Sequence, residues 1–167
     1  LDVLSNTSKE TLLVTIIDSI SVDGSRAIIQ ELSKHDDRLR CIDIGVAKGL
    51  CWAYLSGFKY AIQLDAQKII EMDVGHPINK IDHIINLLDK YQMVCASRFL
   101  DNISRYSNAP NKRLYLSKLG TWVGRHILSM PFTDCTSGLQ RFKSKIIKHI
   151  FNNIQIEHFF SKGHIYQ

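Results

Sequence analysis

The sequence lacks the features that mark membrane-spanning, fibrous and metal-ribbon proteins. No apolar run approaches the roughly 20 residues that a transmembrane helix needs. Nothing in the composition points to a collagen-like chain, a coiled coil or a disulfide scaffold. The four cysteines, Cys41, Cys51, Cys95 and Cys135, form no Cys-x-x-Cys pair, which argues against a zinc site. We expect reduced thiols and a cytoplasmic location.

What is present suits a globular α/β domain. The 167 residues are 45% hydrophobic and 22% charged, about the size of one domain. A formal net charge of +5 suits an anionic partner such as a nucleotide, a phosphate or a membrane surface. The positive charges are scattered, so we expect no nucleic-acid partner. We expect residues 1–167 to form a single domain that is incomplete at both ends.

Short apolar runs alternate with stretches of helical periodicity. The sequence predicts strands at residues 12–17, 38–44, 68–73 and 93–96, and helices at 27–32, 50–61, 77–88 and 116–127. This alternation is typical of βαβ units, and it predicts an α/β fold with a mostly parallel central sheet flanked by helices. Residues 99–115 are polar and predict a mobile surface loop. Ligands of such sheets bind beyond the carboxyl ends of the strands.

The exit of the first strand carries acids beside a glycine turn. The carboxylates of Asp18 and Asp23 are suited to hold ribose hydroxyls and the edge of a nucleobase. An equally simple interpretation is a strand–turn–helix in which Asp23 or Ser25 caps the helix. Local sequence alone favours the capping role.

The exit of the second strand has two interpretations. A glycine turn with Lys48 precedes a helix, and helix N-termini favour phosphate groups. The run Asp43-Ile44-Gly45 also resembles the first motif of Rossmann-type methyltransferases, with Ala47 in place of the middle glycine. An S-adenosylmethionine methyltransferase is therefore one alternative.

The third exit and two later segments carry metal-binding and phosphate-binding side-chain types. Glu71 and Asp73 are two residues apart, so in a strand they face the same side and are able to share a hard divalent cation. Arg98 and Arg113 have the geometry for bidentate phosphate binding. The polar run that begins at Asp134 is suited to place a carboxylate and hydroxyls in a cleft. The alternative for each of them is a solvated side chain in an ordinary loop.

Taken in order, these pieces resemble glycosyltransferase family 2, and within it the dolichyl-phosphate mannosyltransferase branch, also called polyprenol-phosphate sugar synthases. The resemblance runs from about residue 12 onward. It rests on Asp18…Asp23-Gly24-Ser25, Lys48-Gly49-Leu50, Glu71-x-Asp73-x-x-His76-Pro77, Ser97-Arg98-Phe99, Arg113…Ser117 and Asp134-x-Thr136-Ser137-Gly138-Leu139. It implies a Rossmann-like, nucleotide-sugar-binding fold of the GT-A type.

The resemblance also implies roles for individual residues. Glu71 and Asp73 correspond to the family's metal motif for Mg or Mn. The nucleotide-sugar side comprises Asp18, Asp23 and Lys48, together with Glu71 and Asp73. Arg98 and Arg113 would bind phosphates of the donor or the acceptor. Asp134, Ser117 and Ser137 lie in the acceptor-side motifs. The implied catalytic residues are Asp73, Arg98, Arg113 and Asp134. Four positions depart from the family's usual residues: Ser19, Glu71, Gly75 and Gln140.

The reaction implied is inverting transfer of mannose or glucose from GDP-mannose or UDP-glucose to a polyprenyl phosphate. A lipid acceptor implies peripheral contact at the cytoplasmic face of a membrane. An acceptor phosphate with a second pKa of about 6 needs little help from a base. If the acceptor were instead a saccharide hydroxyl, a carboxylate base would be needed, and Asp134 is the candidate. An inactive nucleotide-binding homologue is a further alternative.

Overall fold

Helices and short strands alternate along the chain. In the computed structural model, the described residues are 2–5, 7–17, 23–46, 49–72, 81–100 and 111–153. Their elements, in chain order, are α1 (Asp2–Ser5), β1 (Leu13–Ile17), α2 (Ser25–Leu32), β2 (Leu39–Asp43), α3 (Leu50–Gln63), β3 (Lys68–Glu71), α4 (Ile81–Lys90), β4 (Met93–Cys95), α5 (Asn111–His126), β5 (Gln140–Lys143) and α6 (Ser144–Asn153). The predicted α/β class is confirmed.

The first sheet is a parallel pair, as the βαβ pattern predicts. β1 and β2 run side by side from Leu13 opposite Leu39 to Ile17 opposite Asp43. α3 packs on β1 with Gly57 facing the side chain of Ile16. A Cβ atom there would lie 3.3 Å from the Cδ1 atom of Ile16. Because β1 and β2 are parallel, their carboxyl ends lie at the same edge of this sheet.

The second sheet contains a strand that the sequence analysis missed. β5 lies between β3 and β4 and is antiparallel to both. Its sequence, Gln-Arg-Phe-Lys, has one apolar side chain and no apolar run, so the periodicity gave no strand signal. The sheets as a whole are thus mixed, with one parallel pair and one antiparallel trio in the described part of the chain.

A hydrophobic cluster fixes the second sheet to two helices. Ile69 of β3, Phe142 of β5 and Ile147 of α6 are buried together, with α3 side chains against them. The ring of Phe58 meets that of Phe142 edge to face, with centroids 5.6 Å apart. Burying aromatic and aliphatic groups in this way holds the carboxyl ends of β3 and β4 in a fixed register.

α5 begins earlier than the sequence predicts. The polar segment 99–115 was expected to be a loop, yet the helix already starts at Asn111, so that prediction was wrong for the last five of its residues. Lys112 and Arg113 are good helix formers, so a charged start is compatible with a helix. Among the described helices, none is long and apolar enough to cross a bilayer.

Candidate functional site

Two residues selected separately from the sequence, Arg98 and Asp134, form an ion pair. The Asp134 side chain lies in the interior, with the residue 1% exposed. Arg98 donates to it from Nε at 2.8 Å and from Nη2 at 3.0 Å, one bond to each carboxylate oxygen. The backbone N–H of Arg98 adds a third bond at 3.1 Å. This two-point geometry is the strongest form of the arginine–carboxylate contact.

Thr136 completes this arrangement. Its backbone N–H and its hydroxyl both donate to Asp134 Oδ1, at 3.1 and 3.0 Å. The same hydroxyl accepts a 2.6 Å bond from Arg98 Nη2. We call these three residues the Arg98–Asp134–Thr136 cluster. Each side chain in it is fixed by the other two, so the guanidinium is held in one orientation.

The cluster keeps Asp134 ionised. Burial opposes the charged form, but the hydrogen bonds from the Arg98 side chain and backbone and from Thr136 outweigh it and hold the pKa of Asp134 below its ordinary value. A carboxylate with a lowered pKa is a weak proton acceptor at neutral pH. The geometry therefore suits Asp134 to position Arg98 and makes it a poor general base.

α5 supports the loop that carries the cluster. The Thr121 hydroxyl accepts a 3.2 Å bond from the backbone N–H of Cys135. A Cβ atom at Gly124 would lie 2.8 Å from Cys135 Sγ, and one at Gly120 would lie 3.0 Å from Thr136 Cγ2. Glycine at these two positions lets the helix pack directly against the loop. The predicted acceptor-side residue Ser117 is half-buried on the same helix.

Glu71 lies at the carboxyl end of β3. It stands opposite Gln140, which in turn stands opposite Cys95 at the end of β4. Burial raises the pKa of Glu71 to about 7, an effect that a hydrogen bond with Tyr54 partly offsets. A hard divalent cation would stabilise the ionised form of this half-buried carboxyl group and would take its oxygens as ligands.

The metal motif is only partly within the described structure. Asp73 lies outside the described residues. Within the described ranges, no group of three or more His, Cys, Asp or Glu side chains is placed to hold a metal ion. Glu71 fits the chemistry of one oxygen ligand, and further ligands would have to come from Asp73 and from phosphate oxygens of a substrate.

Gln140, the strand partner of Glu71, contacts Ser137 in the loop before β5. The Gln140 side-chain amide donates to the Ser137 carbonyl at 3.0 Å. The Ser137 hydroxyl is buried and accepts a 3.3 Å bond from the Leu139 backbone N–H. The described contacts of Ser137 thus shape the turn into β5.

Since neighbouring strands lie about 4.8 Å apart, the Cα atoms of Glu71 and Cys95 are about 10 Å apart across β5.

The N-cap residue of α2 is Gly24, and no side chain bonds at that cap, so the expected capping of the helix by Asp23 or Ser25 was wrong. At the edge of the first sheet, Asp23 instead bonds within the turn that precedes α2. Its carboxylate accepts a 3.0 Å bond from the Ser25 backbone N–H, the local turn expected at the start of a helix. That bond lowers the pKa of Asp23. Asp18 and Lys48, predicted on the nucleotide side, lie outside the described residues. The Arg113 backbone lies in α5, and its side chain also falls outside the description.

The sequence analysis missed an ion pair at this edge. Arg26 of α2 binds Asp43 at the end of β2. Asp43 also accepts a 2.9 Å bond from the Gly45 backbone N–H. These contacts give Asp43 a structural role in the turn that follows β2. No local motif marks the pair, because its partners are 17 residues apart.

One cavity borders neither Glu71 nor the Arg98–Asp134–Thr136 cluster. Its volume is about 340 Å³, and it contains none of the predicted site residues. Its lining comes from α2 and β2: Gln30, Ser33, Leu39, Arg40, Cys41 and Asp43. Because Glu71, Arg98 and Asp134 lie instead near the carboxyl ends of β3 and β4, we place the candidate site at Glu71 and the Arg98–Asp134–Thr136 cluster.

Comparison with known proteins identifies a family. The model of the family described as glycosyl transferase family 2 matches residues 1–151. Among curated relatives, the polyprenol monophosphomannose synthase of Mycolicibacterium smegmatis is 26% identical over 158 residues, which is 92% of this chain and 58% of that protein. The undecaprenyl-phosphate mannosyltransferase of Micrococcus luteus is 22% identical over 156 residues, 92% of this chain and 62% of that protein.

The chain therefore spans about three-fifths of the length of these two relatives. No solved structure matches it.

Proposed function

The chain belongs to glycosyl transferase family 2, and we propose that it is the catalytic domain of an enzyme that transfers a hexose from a nucleotide sugar to a polyprenyl phosphate. The names of two relatives, a polyprenol monophosphomannose synthase and an undecaprenyl-phosphate mannosyltransferase, support this acceptor class. Both names also favour mannose as the sugar. GDP-mannose is the first donor to test, and UDP-glucose the second.

The structural observation that carries the proposal is the pairing of Asp134 with Arg98. A saccharide hydroxyl has to lose a proton as it attacks, so it needs a base with a pKa near neutrality. Asp134 is buried, paired and held below its ordinary pKa, which suits it poorly to that task. A phosphate acceptor loses its second proton at a pKa of about 6 and is largely dianionic at neutral pH. It attacks without a protein base.

In the proposed reaction, an acceptor phosphate oxygen forms a bond to the anomeric carbon. The bond from that carbon to the nucleoside diphosphate breaks, and the diphosphate leaves with the electron pair. Because the oxygen enters on the face opposite the leaving group, the configuration at the carbon inverts. The Arg98 guanidinium, which Asp134 and Thr136 hold in place, lies at the carboxyl end of β4 with a side chain 35% exposed. We assign it to orient phosphate oxygens, together with Arg113 from α5.

Glu71 and Asp73 are the residues that would hold a divalent cation. Mg²⁺ or Mn²⁺, when bound, supplies positive charge that offsets the charge on the departing diphosphate. Glu71 contributes a half-buried oxygen ligand from the end of β3. On the nucleoside side, Asp18, Asp23 and Lys48 are the proposed contacts, and Ser117 and Ser137 are the proposed residues of the acceptor side. A polyprenyl acceptor also implies peripheral contact with the cytoplasmic face of a membrane.

A thermal-shift screen tests donor and acceptor separately. GDP, UDP, GDP-mannose and UDP-glucose are each added with Mn²⁺ or with a chelator, and then a short-chain polyprenyl phosphate or a mannose oligosaccharide. We expect a guanine nucleotide to raise the melting temperature only when Mn²⁺ is present. Of the two acceptors, we expect the polyprenyl phosphate to raise it and the oligosaccharide to leave it unchanged. Glu71→Gln should remove the Mn²⁺-dependent part, whereas Asp65→Asn, at an exposed ion pair with Lys148, should not. Stabilisation by the oligosaccharide alone would contradict the acceptor assignment.

A further inference from the structure

The hydroxyl of Tyr54 forms a hydrogen bond with the carboxyl group of Glu71. Tyr54 lies on α3 and Glu71 ends β3, so the bond joins the helix to the end of the strand that carries a proposed metal ligand. Both side chains are half-buried. Tyr54 was not among the residues selected from the sequence, and the proposed reaction gives it no role.

The packing of α3 on the second sheet places Tyr54 beside Glu71. Phe58 of α3 meets Phe142 edge to face, and Phe142 stands opposite Ile69 of β3. Tyr54 is one turn before Phe58, about 6 Å along the helix axis. Glu71 is two residues after Ile69, about 7 Å along the strand, and on the same face of the sheet. Because these two steps match in length, the aromatic contact at Phe58 brings Tyr54 level with Glu71.

The ring of Tyr54 is itself held in place. It stacks on the ring of Phe58, with centroids 6.5 Å apart and planes 20° from parallel. Phe58 in turn packs against the buried cluster around Phe142. Stacked and edge-to-face rings are favourable, specific contacts. The hydroxyl of Tyr54 is therefore presented to Glu71 from a fixed side.

A metal-binding carboxylate needs such a partner. A glutamate side chain has several rotatable bonds, and a defined metal site requires one orientation of its carboxylate. Ligating carboxylates are accordingly hydrogen-bonded to neighbouring groups that orient them. Each carboxylate has about four lone-pair sites, so a bond from the Tyr54 hydroxyl leaves oxygen sites of Glu71 free for a cation.

We propose that Tyr54 is a positioning residue for a divalent cation at Glu71, because it fixes the orientation of the carboxylate that would bind the metal ion. The proposal rests on the proposed function in one respect, which is the assignment of Glu71 as a metal ligand. α3 begins at Leu50, directly after the glycine turn that contains Lys48. The same helix would then connect the proposed nucleotide side with the metal site.

Binding of Mn²⁺ tests this role without any sugar substrate. The chain is titrated with Mn²⁺ alone, and the free ion is measured by its electron paramagnetic resonance signal. Tyr54→Phe keeps the ring and removes only the hydroxyl, and we expect the dissociation constant for Mn²⁺ to rise about tenfold. The matched control is Tyr60→Phe, on the same helix and also half-buried, which should bind Mn²⁺ as the parent does. Melting curves without metal show that each variant is folded.

Double variants show whether Tyr54 acts through Glu71. In a Glu71→Gln background the carboxylate is gone, so Tyr54→Phe should weaken Mn²⁺ binding no further. A Glu71→Asp side chain is one methylene shorter and ends farther from the Tyr54 hydroxyl. In that background, Tyr54→Phe should change the dissociation constant by less than about twofold. A loss of affinity that is equal in all three backgrounds would show a general structural effect and overturn the assignment.

The outcomes separate this proposal from the proposed function. If Mn²⁺ binding depends on Tyr54 as expected but no sugar is transferred, the positioning role stands and the enzymatic proposal fails. If the parent chain does not bind Mn²⁺, or if Tyr54→Phe binds it as tightly as the parent, the role of Tyr54 is overturned. Sugar transfer to the polyprenyl phosphate in the presence of a chelator would then still support the enzymatic proposal.

Discussion

The side chains of Arg98 and Asp134, 36 residues apart in the chain, meet in a two-point ion pair at the ends of β4 and the loop before β5. The carboxylate is almost completely buried and the guanidinium is partly open. This pair gives the candidate site a fixed cation and a carboxylate that is already neutralised. Both properties fit the proposed role of Arg98 in binding phosphate oxygens.

Removing Arg98 should destabilise the fold. Arg98→Met leaves the buried Asp134 carboxylate without its cation, and we expect a loss of about 2–4 kcal/mol in the free energy of unfolding. Urea denaturation measures this. Lys148→Met removes one partner of an exposed ion pair and should cost about 0.5 kcal/mol or less. A cost for Arg98→Met no larger than that for Lys148→Met would show that the pair does not hold the loop.

Glu71 should make stability depend on pH in metal-free buffer. Its folded-state pKa of about 7 lies above the ordinary value of 4.5. The folded state therefore holds this proton more tightly, and the stability it contributes is present below pH 4.5 and lost as pH rises towards 7.

The Glu71→Gln variant isolates this dependence. The stability of the parent should decline by about 3 kcal/mol across that pH window, and the variant should not show this decline. Thermal unfolding with a chelator present measures both. Asp65→Asn is the control, because the Asp65 pKa is lowered and its titration lies below the window. If the parent and the Glu71→Gln variant had the same pH profile, the raised pKa of the half-buried Glu71 would be contradicted.

Replacing Arg141 with an apolar residue should make the fold more stable. It is 1% exposed on the central strand β5, and neither Nε nor Nη2 has a hydrogen-bond partner in the described structure. Burial lowers the pKa of Arg141 to about 10, which reflects the cost of the buried charge. We expect Arg141→Met to raise the free energy of unfolding by about 1–3 kcal/mol.

Arg38→Met provides the contrast. Arg38 is half-buried and bonded to both carboxylate oxygens of Asp36, so its replacement should lower stability. If Arg141→Met instead destabilised the chain as Arg38→Met does, a binding partner for the Arg141 guanidinium would have to exist in solution.

Gly124 should tolerate no side chain. Alanine there would bring a Cβ atom to 2.8 Å from Cys135 Sγ and 3.0 Å from Cys135 Cβ, and a side-chain rotation does not move Cys135 Cβ. We expect Gly124→Ala to destabilise the fold by about 1–3 kcal/mol despite alanine's higher helix propensity. At Gly57 the neighbour is the flexible end of Ile16, so Gly57→Ala should be nearly neutral. Melting temperatures of both variants, measured by calorimetry, test this difference. An unchanged melting temperature in Gly124→Ala would show that α5 and the Cys135 loop are not tightly packed at this position.

The elements that the sequence predicted are those with strong local signals. β1, β3 and β4 each hold an apolar run and β2 holds three apolar residues, and the observed bounds of all four lie within two residues of the predictions. β5 was missed because its sequence is mostly polar and the strands with which it pairs, β3 and β4, are distant in the chain. The early start of α5 was missed because its first turn is basic and polar.

The site was predictable as a set of residues but not as an arrangement. Arg98 and Asp134 were both selected, yet as separate phosphate-side and acceptor-side residues. Their pairing depends on how the loop before β5 folds back against β4, which no local pattern encodes. The pair of Arg26 with Asp43 was missed for the same reason.

The most direct test of the account is sugar transfer itself. The chain is incubated with radiolabelled GDP-mannose, Mn²⁺, and an equimolar mixture of a short-chain polyprenyl phosphate and a mannose oligosaccharide. We predict label in the lipid product, with none in the oligosaccharide, and a loss of transfer in Arg98→Met. Label confined to the oligosaccharide, or no transfer from either GDP-mannose or UDP-glucose, would contradict the account.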